Sequence, residues 1–159
     1  MAYLIDGNNL LGQISFSHPR DSRSKYSLIL KLLTFQRLKR TRILLVFDGT
    51  PDPRLADEKL RRKKFSIIYP SCGQNADSVI KELISKQTDK KKFTVVSSDR
   101  DIKNYAKASG AKTLSSKDFH LLLKKILREN RKARELEKKI IFPSPLEINL
   151  WLDVFNKKK

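Results

Sequence analysis

Short apolar runs alternating with stretches of helical periodicity constrain this chain more than any other feature of its sequence. Tyr3–Ile5, Ile43–Phe47, Phe65–Tyr69 and Phe93–Val96 are brief, rich in β-branched or aliphatic residues, and bounded by polar or turn residues, which is the pattern of strands. Lys112–Leu114 is a fifth, shorter candidate. Between them Tyr26, Ile29, Leu30 and Leu33, then Val79, Ile80, Leu83 and Ile84, then Ile102, Tyr105 and Ala106 recur at the spacing that lines one face of an α-helix. Continuously apolar strands need cover on both faces, and a strand-then-helix order supplies it through crossover connections. The expected fold class is α/β: a doubly wound domain with a central, mostly parallel sheet flanked by helices.

Phe119, Leu122, Leu123, Ile126 and Leu127 form the stripe of a further long helix that runs into the charge-rich stretch from Arg128 to Lys139 and stops before Pro143. Ser144, Pro145 and Glu147 then read as a cap opening a last helix, with Leu146, Leu150, Trp151 and Val154 as its packing face. A chain of 159 residues, 39% apolar, is long enough for one compact core. The expectation is one domain over 1–142, with the extra C-terminal helix and basic tail of 143–159 packed on it. Gly49 to Lys64 is the candidate long loop, with a helical turn around Leu55 to Leu60.

Lys and Arg number 35 against 17 Asp and Glu, a formal charge of +18, so the natural partner is a polyanion. No apolar run reaches the length of a membrane span, and the N-terminus lacks the basic and apolar regions of a secretory signal, so a soluble cytoplasmic protein with no membrane partner is expected. Cys72 is the only cysteine, which excludes an internal disulfide and a cysteine zinc cage.

The acids fall at telling positions. Asp6 follows the first strand, Asp48 the second and Asp99 the fourth, each at a strand's carboxyl end, where ligands gather in open α/β sheets. Asp77 opens the helix carrying Val79 and Ile80, and Asp101 lies two residues beyond Asp99. Two carboxylates about 4 Å apart repel by roughly 4 kcal/mol at an effective dielectric of about 20, so a cluster of them calls for a cation. Mg²⁺ or Mn²⁺, hard ions that prefer oxygen, suit an all-aspartate set. Taken singly, an Asp is explained by helix capping or turn formation, and Asp48-Gly49-Thr50-Pro51 reads as a turn. Asp6-Gly7-Asn8-Asn9 is the group least accounted for by turn chemistry.

Tyr3-Leu4-Ile5-Asp6-Gly7-Asn8-Asn9-Leu10 resembles the opening of NYN domains, part of the PIN-like nuclease superfamily. Val46 to Gly49, Asn75 to Ile80 and Val95 to Ile102 are similar to later blocks of the YacP-like NYN family. The resemblance covers about Met1 to Leu123; Phe142 to Lys159 lies outside any recognised block. It implies a metal-dependent endoribonuclease with Asp6, Asp77 and Asp99 as catalytic, metal-binding acids and with Asn9, Asp101 and Asp48 as auxiliary residues. Asn9 would hold the first-strand loop or the phosphate. It also implies mRNA as substrate and a link to the translating ribosome.

Arg54, Lys59, Arg61, Arg62, Lys63 and Lys64 crowd the long connection and, with Arg100, are the candidate RNA-binding residues, extended by Lys103, Lys107 and Lys112. From Lys124 to Lys139 cations mix with Glu129, Glu135 and Glu137, which reads as a solvated helix held by internal ion pairs. Tyr69 and Tyr105 could stack on bases but read first as core. Two functions are open: a ribonuclease, or a non-catalytic RNA- or ribosome-binding module of the same fold. A phosphatase fits worse, because the place two residues after Asp6, where an aspartyl nucleophile wants a second acid, holds Asn8.

Overall fold

β1 (Ala2–Asp6), β2 (Arg42–Val46), β3 (Phe65–Ile68), β4 (Phe93–Val96) and β5 (Lys112–Leu114) form one sheet in the order β3-β2-β1-β4-β5, with every neighbouring pair parallel. The computed structural model describes residues 1–14, 22–55, 63–141, 145, 146, 148, 149 and 152. Its central strands are buried on both sides, Leu4, Ile5, Leu45, Val46 and Val96 each being 0% exposed, as their unbroken apolar character requires. The chain builds outward from β1 through β2 to β3, then crosses back to lay β4 on the other side of β1. That reversal creates a topological switch point between β1 and β4, where doubly wound sheets leave a crevice beyond the strand ends.

Helices cover both faces. α3 (Ala76–Lys86) and α4 (Arg100–Ala108) pack Val79, Ile80, Ile84, Ile102 and Ala106 against Leu4, Leu44, Val46, Phe93 and Val95. On the other face lie α2 (Ser22–Lys39) and the start of α5 (Ser116–Ile141). There Tyr3, Phe35 and Phe119 meet with ring centroids 5.4 to 5.7 Å apart, mostly edge to face, the arrangement aromatic quadrupoles favour. Gly110, at φ 83°, ends α4 in a left-handed turn that delivers the chain to β5.

One helix was not anticipated: α1 (Gly7–Ile14) starts directly at the end of β1. Gly7, Asn8 and Asn9 are poor helix formers, so local propensity hides it. Burial of Leu10 and Leu11 at 0% and 1% exposure overrides that preference. A single 3-10 turn spans Pro53–Leu55; 56–62, where most of the helical turn expected around Leu55 to Leu60 falls, lie outside the described residues.

Met1–Lys124 is one compact unit and Lys125–Lys159 a second. In the second, every residue from Arg128 to Lys138 except Asn130 is exposed. Leu146, expected on a packing face, is 76% exposed, and Ile148 and Leu152 are exposed as well. Leu150, Trp151 and Val154 lie outside the described residues. Among the described residues no helix is long and apolar enough to cross a membrane.

Candidate active site

Asp6 is the last residue of β1 and is paired with Val46 in the ladder, one step past the Ile5 to Val96 pair that ends the β4 side. It therefore stands at the mouth of the switch point, and it is buried, with only 8% of its surface exposed. Its carboxylate is gripped from two elements. The Asn9 backbone N–H, in the first turn of α1, donates to Oδ1 at 3.1 Å, and the Ser97 hydroxyl, just past β4, donates to Oδ2 at 3.2 Å. Burial pushes the Asp6 carboxyl above the usual carboxylate range, partly opposed by these two hydrogen bonds; the charges of Asp77 and Asp99 push it up further. Asp77 and Asp99 thus lie within electrostatic reach of Asp6.

Asp99 has a structural duty as well. It caps α4, accepting through Oδ1 from the Asp101 and Ile102 N–H groups at 2.8 and 3.1 Å. Its own N–H donates to the Ser97 hydroxyl at 3.1 Å, so a single buried serine ties the two acids together. Asp77 is not the cap of α3; Asn75 is, accepting from the Ser78 N–H at 2.8 Å, which leaves Asp77 exposed in the first turn. Asp101 is exposed in the first turn of α4, and Asp48 is exposed in the bend after β2.

Asn9 holds the loops together. Its Oδ1 accepts from the Ser98 N–H at 3.1 Å and from the Ser116 hydroxyl at 2.7 Å, while the Ser116 N–H donates to the Ser98 hydroxyl at 3.2 Å. The start of α1, the β4 exit and the first residue of α5 are locked as one frame around Asp6. Sequence reading missed Ser97 and Ser116, both 0% exposed. A run of two serines before Asp99 was the one hint for Ser97; Ser116 is joined to Asn9 only by the fold.

Gly7 makes the close packing possible. A Cβ there would stand 2.6 Å from the Phe47 ring and 2.9 Å from the Val46 carbonyl oxygen, so only glycine lets α1 start so near β2.

Among the described residues no three His, Cys, Asp or Glu side chains close into a metal-ligand cluster. Nor does any ion pair there involve Asp6, Asp77 or Asp99. The donors are all hard oxygens, and one of them, Asp6, is buried with no ion pair among the described residues. Such a set fits a cation held by one or two carboxylates with water and substrate oxygens completing its shell, the usual habit of Mg²⁺, and does not fit a closed protein cage.

The cations divide. Arg100 is exposed beside Asp99, with Lys103 one turn further along α4. Lys63 and Lys64 are exposed at the opposite edge, since the Lys64 carbonyl accepts from the Ile43 N–H at the start of β2. They are not brought to the acids. Only the backbone of Arg54 is described, and Lys59, Arg61 and Arg62 lie outside the described residues. Tyr105, read first as core, is 38% exposed with Lys81 over its ring.

Residues 3–154 match the model of the YacP-like NYN domain, well past the Leu123 limit of the recognised motifs. No curated protein matches. The crystal structure of Rae1 (YacP) from Bacillus subtilis superposes with a TM-score of 0.69 at 20% identity, over 99% of this chain and 93% of that one. Its W164L mutant gives 0.67 at 20% identity, over 87% and 85%. At this identity the superposition establishes the fold, a mostly parallel α/β sheet. The family match over nearly the whole length places the chain among the YacP-like NYN domains, a nuclease-like family.

Proposed function

We propose that this protein is a divalent-metal-dependent endoribonuclease that hydrolyses phosphodiester bonds of single-stranded RNA, with Mg²⁺ or Mn²⁺ held among Asp6, Asp77 and Asp99, one or two of them in direct contact and the rest through water. The observation that carries this reading is a buried carboxylate, under the charge of two others and in no ion pair among the described residues, at the switch point of a nuclease-like fold. When bound, the metal supplies a water of lowered pKa and polarises the phosphodiester. The protein's own part is preorganisation. Asn9 and Ser97 fix both oxygens of Asp6, and the cap on α4 fixes Asp99. Arg100 offers a positive charge at the same edge for a phosphate. Messenger RNA as substrate and the translating ribosome as partner are what the family resemblance implies.

Labelled single-stranded RNA incubated with Mn²⁺ or with chelator tests the proposal. Metal-dependent internal cuts are expected, and they should disappear in Asp6→Asn and Asp99→Asn. Asn is a good helix cap, so the second change leaves α4 intact. Unchanged cleavage by both purified variants would dismiss the mechanism; tight RNA binding with no products would favour a non-catalytic module.

A further inference from the structure

Within the second unit, α5 carries exposed cations on one half of its circumference. At about 100° per residue, Lys125, Arg128, Arg131, Lys132, Arg134 and Lys138 fall within one half-turn of the helical wheel, and Glu129 and Glu137 fall in the other. Glu135 alone sits among the cations. Of the ion pairs expected from sequence, the described side chains of this stretch form one, Arg131 Nε to Glu135 at 3.9 Å, between side chains 75% and 63% exposed. Like charges at i and i+4, as in Arg128 with Lys132 and Arg134 with Lys138, weaken a helix by a few tenths of a kcal/mol each, roughly as much as opposite charges strengthen it. A merely solvated helix gains by interspersing the signs. Opposite charges meet at the same spacing in Lys125 with Glu129 and Arg131 with Glu135, so the helix itself is left near balance. What stands out is the excess of six cations over the single Glu135 on one half of its surface, a field that suits an anionic partner.

The strip from Lys125 to Lys138 is about 20 Å long, at roughly 1.5 Å per residue, enough to meet several phosphates in succession. It holds too few large apolar side chains for a protein-docking helix; Leu136 is its one exposed large hydrophobic residue. We propose that this face of α5 is a docking strip for the sugar-phosphate backbone of RNA outside the stretch being cut. The proposal rests on the RNA reading of the active site but not on catalysis. The strip raises affinity for long RNA and leaves the chemical step alone.

The test uses the full chain carrying Arg128→Gln, Lys132→Gln, Arg134→Gln and Lys138→Gln, with a control that neutralises Lys86, Lys90, Lys91 and Lys92 instead. Binding of a long labelled RNA is followed by anisotropy in chelator at several salt concentrations. Each phosphate contact on a single strand contributes about 0.7 to the slope of log K against log salt, so losing four lowers the slope by roughly 3. Affinity then drops on the order of 10²-fold at ~0.1 M salt. The control should bind nearly as wild type. In Mn²⁺, the strip variant should cut long RNA with a raised KM and unchanged kcat, and cut a short oligonucleotide like wild type. Equal slopes for wild type and strip variant, or equal losses in variant and control, would overturn the strip while leaving the nuclease reading untouched. Loss of binding in the strip variant alone, from a wild-type chain that cuts no RNA, would support the strip and sink the nuclease reading.

Discussion

Gly7→Ala couples the fold to the active site most sharply. The added Cβ would lie 2.6 Å from Cδ1 and Cε1 of Phe47 and 2.9 Å from the Val46 carbonyl oxygen, against roughly 3.5–4.0 Å for a comfortable carbon contact. Phe47 is 0% exposed and cannot swing away, and the oxygen belongs to the backbone of β2. The strain therefore moves into the first turn of α1. Overpacking of this kind costs about 1–3 kcal/mol, less up to about 1 kcal/mol recovered because Ala is the better helix former. A net loss of about 1–2 kcal/mol lowers Tm by roughly 2–8 °C in a domain of this size. The same turn carries the Asn9 N–H that holds Asp6, and a displacement of about 1 Å at a reacting centre can cost on the order of 10²-fold in rate. Thermal melts by circular dichroism, paired with the RNA cleavage assay, measure both effects. Adding Phe47→Leu should recover part of each, because it removes the ring carbons in the way. Gly7→Ala with wild-type Tm and wild-type rate would refute the reasoning.

Because burial and two neighbouring acids hold Asp6 above its unfolded carboxylate value, its protonated form favours folding, and that contribution is lost as pH rises through the folded value. Metal-free Asp6→Asn should therefore be more stable than wild type at neutral pH, with the gain fading as pH falls below the carboxylate range; urea denaturation giving the same difference at both pH values would contradict this. Asn9→Ala leaves the Ser98 N–H and the Ser116 hydroxyl without their acceptor and should cost about 1–3 kcal/mol in urea denaturation, with a fall in cleavage rate; full activity would show that the frame is not needed. Phe119→Ala removes the ring shared by Tyr3 and Phe35 and should cost about 3–5 kcal/mol, read from the urea midpoint; a loss under about 1 kcal/mol would mean that α5 is not anchored there.

All five strands were legible in the sequence because burial on both faces leaves an unbroken apolar run, as in Ile43 to Val46. The helices with an apolar stripe were legible too. α1 was not, since Gly7, Asn8 and Asn9 speak against a helix and only contact with the sheet decides for it. That Asp6 and Asp99 stand at the same edge of the sheet could be inferred because strand ends in a doubly wound sheet share an edge. The double duty of Asp99 as acid and cap, and the grip of Ser116 on Asn9, depend on tertiary geometry with no local signature. Lys63 and Lys64 illustrate a different failure. The connection after Asp48 leaves one edge of the sheet and reaches the other before β3, so closeness in sequence did not become closeness in space.

Mn²⁺ binding, followed by the electron paramagnetic resonance of the free ion in the presence of a non-cleavable RNA, tests the central claim most directly. Wild type should take up Mn²⁺, and Asp6→Asn, Asp77→Asn and Asp99→Asn should each weaken uptake on the order of 10-fold or more. Uptake that none of the three substitutions alters, or no uptake by the wild type, would contradict the account.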